Sequence, residues 1–221
     1  MRKLFTFLFL TSMIFLLASN SGFAQFRLKL GPNIGLNYNI GTGSDVDETM
    51  TGIGMVIGGT VDMAFTPTIG LITNLQFYDN RSGGTSTEGS VQGIAYTVND
   101  DRSIAYFMIE PLFKLTLPSS PFYFVVGPAF GFSVQGSYDI RITSQNNQVT
   151  FNDGSTKATG SIKDMLVRFA LKFGSGYDIK LGSIFLTPQL AFEYGLTNIV
   201  SDVKSKILTI QLTTAVKFSL I

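Results

Sequence analysis

The chain has 221 residues with 16 basic and 15 acidic side chains, and it contains no Cys, no His and no Trp. Hydrophobic residues make up 45% and charged ones only 14%. That balance excludes a polybasic nucleic-acid binder, a disulfide scaffold and any site built on thiolate or imidazole.

The first residues read as an export signal. Arg2 and Lys3 form a basic start, and Leu4 to Leu17 form an apolar stretch too short for an ordinary spanning helix. Gly22-Phe23-Ala24 then sets small residues at −3 and −1, which predicts cleavage before Gln25. No Cys follows that point, so a lipoprotein anchor is excluded. The division is a leader over residues 1–24 and one domain over 25–221. Losing Arg2 and Lys3 removes two of the 16 basic residues against 15 acidic ones, leaving a charge of about −1. No later segment holds about 18 consecutive apolar residues, so no spanning helix is expected.

From Phe26 onward the chain alternates with period two, the signature of strands with two unlike faces. Segment one sets Phe26, Leu28, Leu30, Pro32, Ile34, Leu36, Tyr38 and Ile40 against Arg27, Lys29, Gly31, Asn33, Gly35, Asn37 and Asn39. Segment two sets Ile53, Met55, Ile57, Val61, Met63 and Phe65 against Gly54, Gly58, Thr60 and Asp62. Segment three, from Ile69 to Phe77, is weaker, because Thr73 falls on the apolar side and Ile72 on the polar one. Segment four sets Phe107, Ile109, Pro111, Phe113 and Leu115 against Glu110, Lys114 and Thr116. Segment five runs from Phe122 to Gln135, with Phe124, Val126, Pro128, Phe130 and Phe132 on its apolar side. Segment six sets Met165, Val167, Phe169, Leu171 and Phe173 against Arg168, Lys172 and Asp178. Segment seven sets Leu186, Pro188, Leu190, Phe192 and Tyr194 against Thr187, Gln189 and Glu193. Segment eight sets Leu208, Ile210, Leu212, Val216, Phe218 and Leu220 against Thr209, Gln211, Thr213 and Lys217. Each segment can supply the roughly 9–11 residues of a tilted membrane strand.

Short turns at Thr66-Pro67-Thr68, Pro118-Ser119-Ser120 and Lys180-Leu181-Gly182-Ser183 alternate with longer polar loops, the longest at residues 79–102 and 137–163. Turn signals such as Asn152-Asp153-Gly154 predict that these two loops rise as hairpins. Aromatic residues cluster at both strand ends: Phe26, Phe65, Phe122, Tyr177 and Phe218 on the turn side, and Tyr38, Phe77, Phe107, Phe132 and Tyr194 on the loop side. The reading is an all-β, eight-stranded antiparallel up-and-down transmembrane β-barrel in a bacterial outer membrane, in contact with its lipids. A soluble barrel would reverse the faces. The polar face is too rich in Gly and too poor in Lys and Glu for a water-facing exterior, and the apolar face is too uniformly large for a tapered interior.

In an eight-stranded barrel the polar face fills a lumen, where charges must pair. Lys29, Asp62, Glu110, Lys114, Arg168, Lys172, Asp178, Glu193 and Lys217 form the expected lumen charge network. If Ile40 opposes Thr51, Lys29 opposes Asp62; if Ile179 opposes Ile184, Glu193 opposes Ala170 with Arg168 and Lys172 diagonal to it. Pro32, Pro111, Pro128 and Pro188 lie inside strands, where each removes a ladder donor, so bulges or opened ladders are required.

Tyr106 to Lys114 (YFMIEPLFK) resembles the "YLEIPLLLK" strand of the PorT-like outer-membrane β-barrel proteins, small barrels of the OmpA type. Phe122-Tyr123-Phe124 to Gly127-Pro128, Phe173 to Asp178 and Glu193 to Ile199 are similar to that family's "yyfaGP", "G-Gy" and "rY-xGLtNi" segments. The resemblance departs at the end, where Phe218 is followed by Ser219-Leu220-Ile221 rather than closing the chain. It implies fold and location more than activity, with some members tied to secretion machinery. The functions in contention are a structural, binding or secretion-associated barrel with periplasmic or secretion-complex partners, a small gated pore, and a membrane-embedded enzyme. The last lacks a His base and is not expected, and no cofactor is implied. Asp100-Asp101 and the group Asp45, Asp47 and Glu48 are weak Ca²⁺ candidates, read as solvated loop charge.

Overall fold

The computed structural model describes residues 26–44, 49–201 and 204–220. The leader lies outside these residues, as do Asp45, Asp47 and Glu48. Ten strands follow one another: β1 (Arg27–Thr42), β2 (Met50–Ala64), β3 (Ile69–Val91), β4 (Ile94–Thr116), β5 (Phe122–Ser144), β6 (Lys157–Ser161), β7 (Arg168–Tyr177), β8 (Ile179–Leu181), β9 (Ile184–Gly195) and β10 (Lys206–Ser219). Each consecutive pair in the ring β1-β2-β3-β4-β5-β7-β9-β10 is antiparallel, and β10 closes back onto β1. β8 continues β7 along β9 in an unchanged register. The result is a closed eight-stranded up-and-down barrel, which leaves no free sheet edge around the ring.

The faces are inverted relative to a soluble protein. Ile53 is 68% exposed and Val134 69%, whereas Glu110, Lys172, Glu193 and Lys217 are completely buried. Such an exterior is stable only against hydrocarbon. Ring pairs such as Phe26–Phe65 and Phe77–Phe107, both with centroids 6.4 Å apart, lie at the opposite ends of this belt.

The long loops are largely strand. β3 and β4 pair without a break from Ser82↔Ser103 up to Val91↔Ile94, turning at Gln92 and Gly93, both with positive φ. That is the backbone of a two-residue hairpin turn. β5 and β6 add to the same sheet, and their connection turns where the Gly154 N–H donates to the Phe151 carbonyl. The hairpins read from the turn signals are therefore present, joined into a four-stranded sheet rising beyond the barrel.

Three details depart from the sequence reading. The turn between β8 and β9 is a two-residue one with Gly182 at φ 64°, so Leu181 faces Ile184. Lys172, rather than Ala170, thus faces Glu193; a tighter turn slid the register by two residues and kept every side chain on its face. Met165 does not face lipid: it precedes β7, bridges to Val200 and packs inward with Ile162 and Ile199. The residues of segment three alternate only as far as Gln76. A bulge at Phe77-Tyr78 exposes both aromatics and turns Asp79 and Arg81 inward.

The prolines are accommodated by opened ladders rather than bulges. Between β4 and β5 the pairing is interrupted from Glu110 to Leu112 and resumes at Phe113↔Val126 in the same register. That register sets Pro111 directly opposite Pro128, so two missing N–H groups share one gap. Pro32 falls in a similar gap against β10, and Pro188 where β7 gives way to β8.

Candidate functional site: the charged lumen

Every second residue of the ring strands points inward, so the lumen is built from short, inward-facing sets on eight strands. Along β4 the order from the turn end is Lys114, Leu112, Glu110, Met108, Tyr106, Ile104, all buried. That sequence stacks the lumen into layers.

The layer nearest the turns joins Lys29, Asp62, Lys114, Asp178 and Lys217. Lys114 Nζ donates to Asp62 at 2.8 Å and to Asp178 at 2.9 Å. Lys217 Nζ donates to the same two carboxylates at 2.5 and 2.8 Å. Thr187 donates to Asp178 at 2.8 Å. Lys29 does face Asp62 across the β1–β2 ladder, yet its ion pair is with Asp178 at 3.6 Å, and its ammonium lies 3.6 Å over the Phe185 ring. Three cations share two carboxylates here, and the Tyr123 ring under Lys114, at 4.3 Å, adds a cation–π contact.

An apolar layer of Ile72, Leu112, Tyr123 and Val125 comes next. Beyond it Glu110, Arg168, Lys172 and Glu193 meet Asp79 and Arg81. Lys172 Nζ donates to Glu110 at 2.6 Å and to Gln211 at 2.5 Å. Arg168 grips Glu193 Oε1 through Nε at 3.0 Å and Nη2 at 2.8 Å. Arg81 Nη2 donates to Asp79 at 2.5 Å and to Glu193 at 3.2 Å. Amide side chains extend the web: Asn37 donates to Asp79, Asn39 to Asn37, and Asn74 to Glu110. The asparagines of β1 that alternate with its apolar residues are thus lumen hydrogen-bonding groups. A second apolar cluster of Ile104, Tyr106, Met108, Ala129 and Ala170 packs beside this layer.

All nine charged residues singled out in the sequence face the lumen, in two clusters rather than one. Asp79 and Arg81 were missed because their parity is right only after the bulge. The adjacent aromatics Phe77 and Tyr78 were the available signal, since strict alternation would send one of them into the polar lumen and a bulge lets both face lipid. Asp100 is held by Arg102 at 2.7 Å, and among the described residues no group of three carboxylates converges on a metal-sized site.

A closed antiparallel ring with an apolar belt and a charged interior defines a transmembrane β-barrel of the outer-membrane class. The chain belongs to the outer membrane protein beta-barrel domain family, whose model matches residues 18–201, and its place is the bacterial outer membrane. Among solved structures it is similar to Ail, the attachment invasion locus protein of Yersinia pestis, at 13% identity over 86% of this chain and 99% of that one, with a TM-score of 0.44. OprG of Pseudomonas aeruginosa matches at 10% identity over 88% and 95%, with a TM-score of 0.35. CarO2 of Acinetobacter baumannii matches at 16% over 86% and 99%, with a TM-score of 0.36. No curated protein sequence matches.

Proposed function

We propose that this protein is a non-conducting, non-enzymatic outer-membrane barrel whose work is binding, done at the loop end above a permanently plugged lumen. The observation that carries this is the double plug: the carboxylates of both layers accept from buried cations, with one apolar cluster between them and another packed beside the upper one. A water-filled channel needs continuous polar surface, whereas Leu112 and Tyr123 break it in one place and Tyr106 and Met108 in another. Among these side chains no hydroxyl or carboxylate pairs with a free base, because each lumen acid is held by Lys or Arg. The lipid-facing belt makes outer-membrane lipid its surroundings, and the β3–β6 sheet is the surface it offers beyond them. Planar-bilayer recording of the refolded protein tests the reading: no steady openings are expected, and reproducible unitary conductance would overturn it.

A second reading concerns the turn end. The motif resemblance to PorT-like proteins favours a secretion-associated partner on the periplasmic side. Crosslinking in native membranes through a photoreactive residue at Ser119 or Ser183 tests it; capture of a defined periplasmic protein is expected, and crosslinks to lipid alone would overturn it.

A further inference from the structure

A cavity of about 460 Å³ opens at the loop end of the barrel, within the size range of small-molecule sites. Its apolar walls come from Met50, Ile104, Ile162, Ile199, Val200 and Ile207. Arg81 also lines it, with its side chain completely buried. The Arg81 Nη2 is used by Asp79 and Glu193, but its Nε and Nη1 have no hydrogen-bond partner. A buried guanidinium with the three N–H donors of two nitrogens unused is costly unless something accepts from them. The remaining charged residues of the lining are Arg102 and Asp100, which pair with each other. The two carboxylates that pair with Arg81, Asp79 and Glu193, are not among the lining residues, so Arg81 is the cation this lining presents without an acid of its own.

We infer that this cavity binds a small amphipathic carboxylate, its head group accepting from Arg81 at the inner end and its hydrocarbon body lying against the isoleucines. The planar fork of arginine matches a carboxylate better than any neutral acceptor. The walls supply the affinity, since seating the hydrocarbon body against them removes apolar surface from water. The inference rests on the binding role proposed above and assigns it a site and a ligand class.

The experiment uses the mature chain in nanodiscs with ¹³C-methyl-labelled methionine, titrated with sodium octanoate. Met50 lines the cavity and Met55 faces lipid, so one methyl reports the site and the other reports partition into the bilayer. Saturable displacement of the Met50 signal, with Met55 following only a linear drift, is the expected result. Octanol, which lacks the charge, should bind at least tenfold more weakly. Ile199→Trp fills the cavity and should abolish saturation, and Arg81→Lys should weaken octanoate at least tenfold. Should Arg81→Lys fail to fold, the octanol comparison and Ile199→Trp still decide. Linear shifts at both methyls, equal affinity for octanol, or saturation unchanged by Ile199→Trp would each overturn the site. None of these outcomes alters the conductance measurement, so loss of this site leaves the plugged-barrel reading separately testable.

Discussion

Glu193 accepts from Arg81 and Arg168 and lies 3.8 Å from Lys172, with none of these side chains more than 3% exposed. Glu193→Ala therefore strands buried cations, a change that costs about 3–5 kcal/mol. Thermal unfolding in detergent should shift down by on the order of 10 °C; an unchanged midpoint would show that the cluster contributes no stability. Lys29 is the contrasting case. Its contact with Asp178 is 3.6 Å long and partly exposed, and Asp178 keeps Lys114 and Lys217. Lys29→Met should cost less than about 1 kcal/mol, the range of screened pairs, and a fall matching Glu193→Ala would refute the ranking. These residues were legible in the sequence because a lumen side chain announces itself by parity alone. Which partner each one takes was not, because partners such as Arg81 and Glu193, 112 positions apart in the chain, meet only across the barrel interior.

At the scale of the strand, the bulge in β3 shows where parity reasoning stops. Its ladder with β4 slips by one residue between Gln76 and Asp79, and everything beyond reverses face. Deleting Tyr78 would remove the extra residue and restore strict alternation, with Gln76, Asp79 and Arg81 all still facing the lumen and Phe77 facing lipid. The shortened strand should therefore refold and keep its heat-modifiable shift in gel mobility; loss of the folded band would show that the bulge itself, and not only the parity it sets, is required. The proline gap has a similar logic. Pro111 and Pro128 fall opposite each other within a single interruption, so one break in the ladder serves for both. In the double variant Pro111→Ala, Pro128→Ala the two new amides should pair and exchange slowly with deuterium, whereas rapid exchange would show that strand curvature, rather than the missing donors, holds the gap open. The residues resembling the PorT-like motif, from Tyr106 to Lys114, are these same features: Glu110 and Lys114 belong to the plug and Pro111 to the gap. That motif encodes how this strand is built, which explains why it implied fold more than activity.

At the scale of the whole molecule, the barrel and the sheet above it have different sources of stability. The ring is held by lipid-facing apolar area and by the lumen clusters, whose ligating residues all lie between Lys29 and Lys217 at or below the level of Arg81 and Ile104 on their strands. The β3–β4 hairpin above Gly84 and Asp101 contributes backbone pairing and exposed polar side chains. Its direction was legible from loop length and turn residues, but its ordering into one sheet with β5 and β6 depends on pairings that no local signal records. If the two parts are separable, replacing residues 85–100 by Asn-Gly joins register partners Gly84 and Asp101 through a turn of the favoured hairpin kind. The shortened protein should keep its heat-modifiable mobility and unfold within a few degrees of the parent, since both charged layers remain complete. A drop as large as that of Glu193→Ala would instead make the projecting sheet part of the barrel's own cooperative unit. That outcome would move the origin of its stability from the lumen toward the loop end.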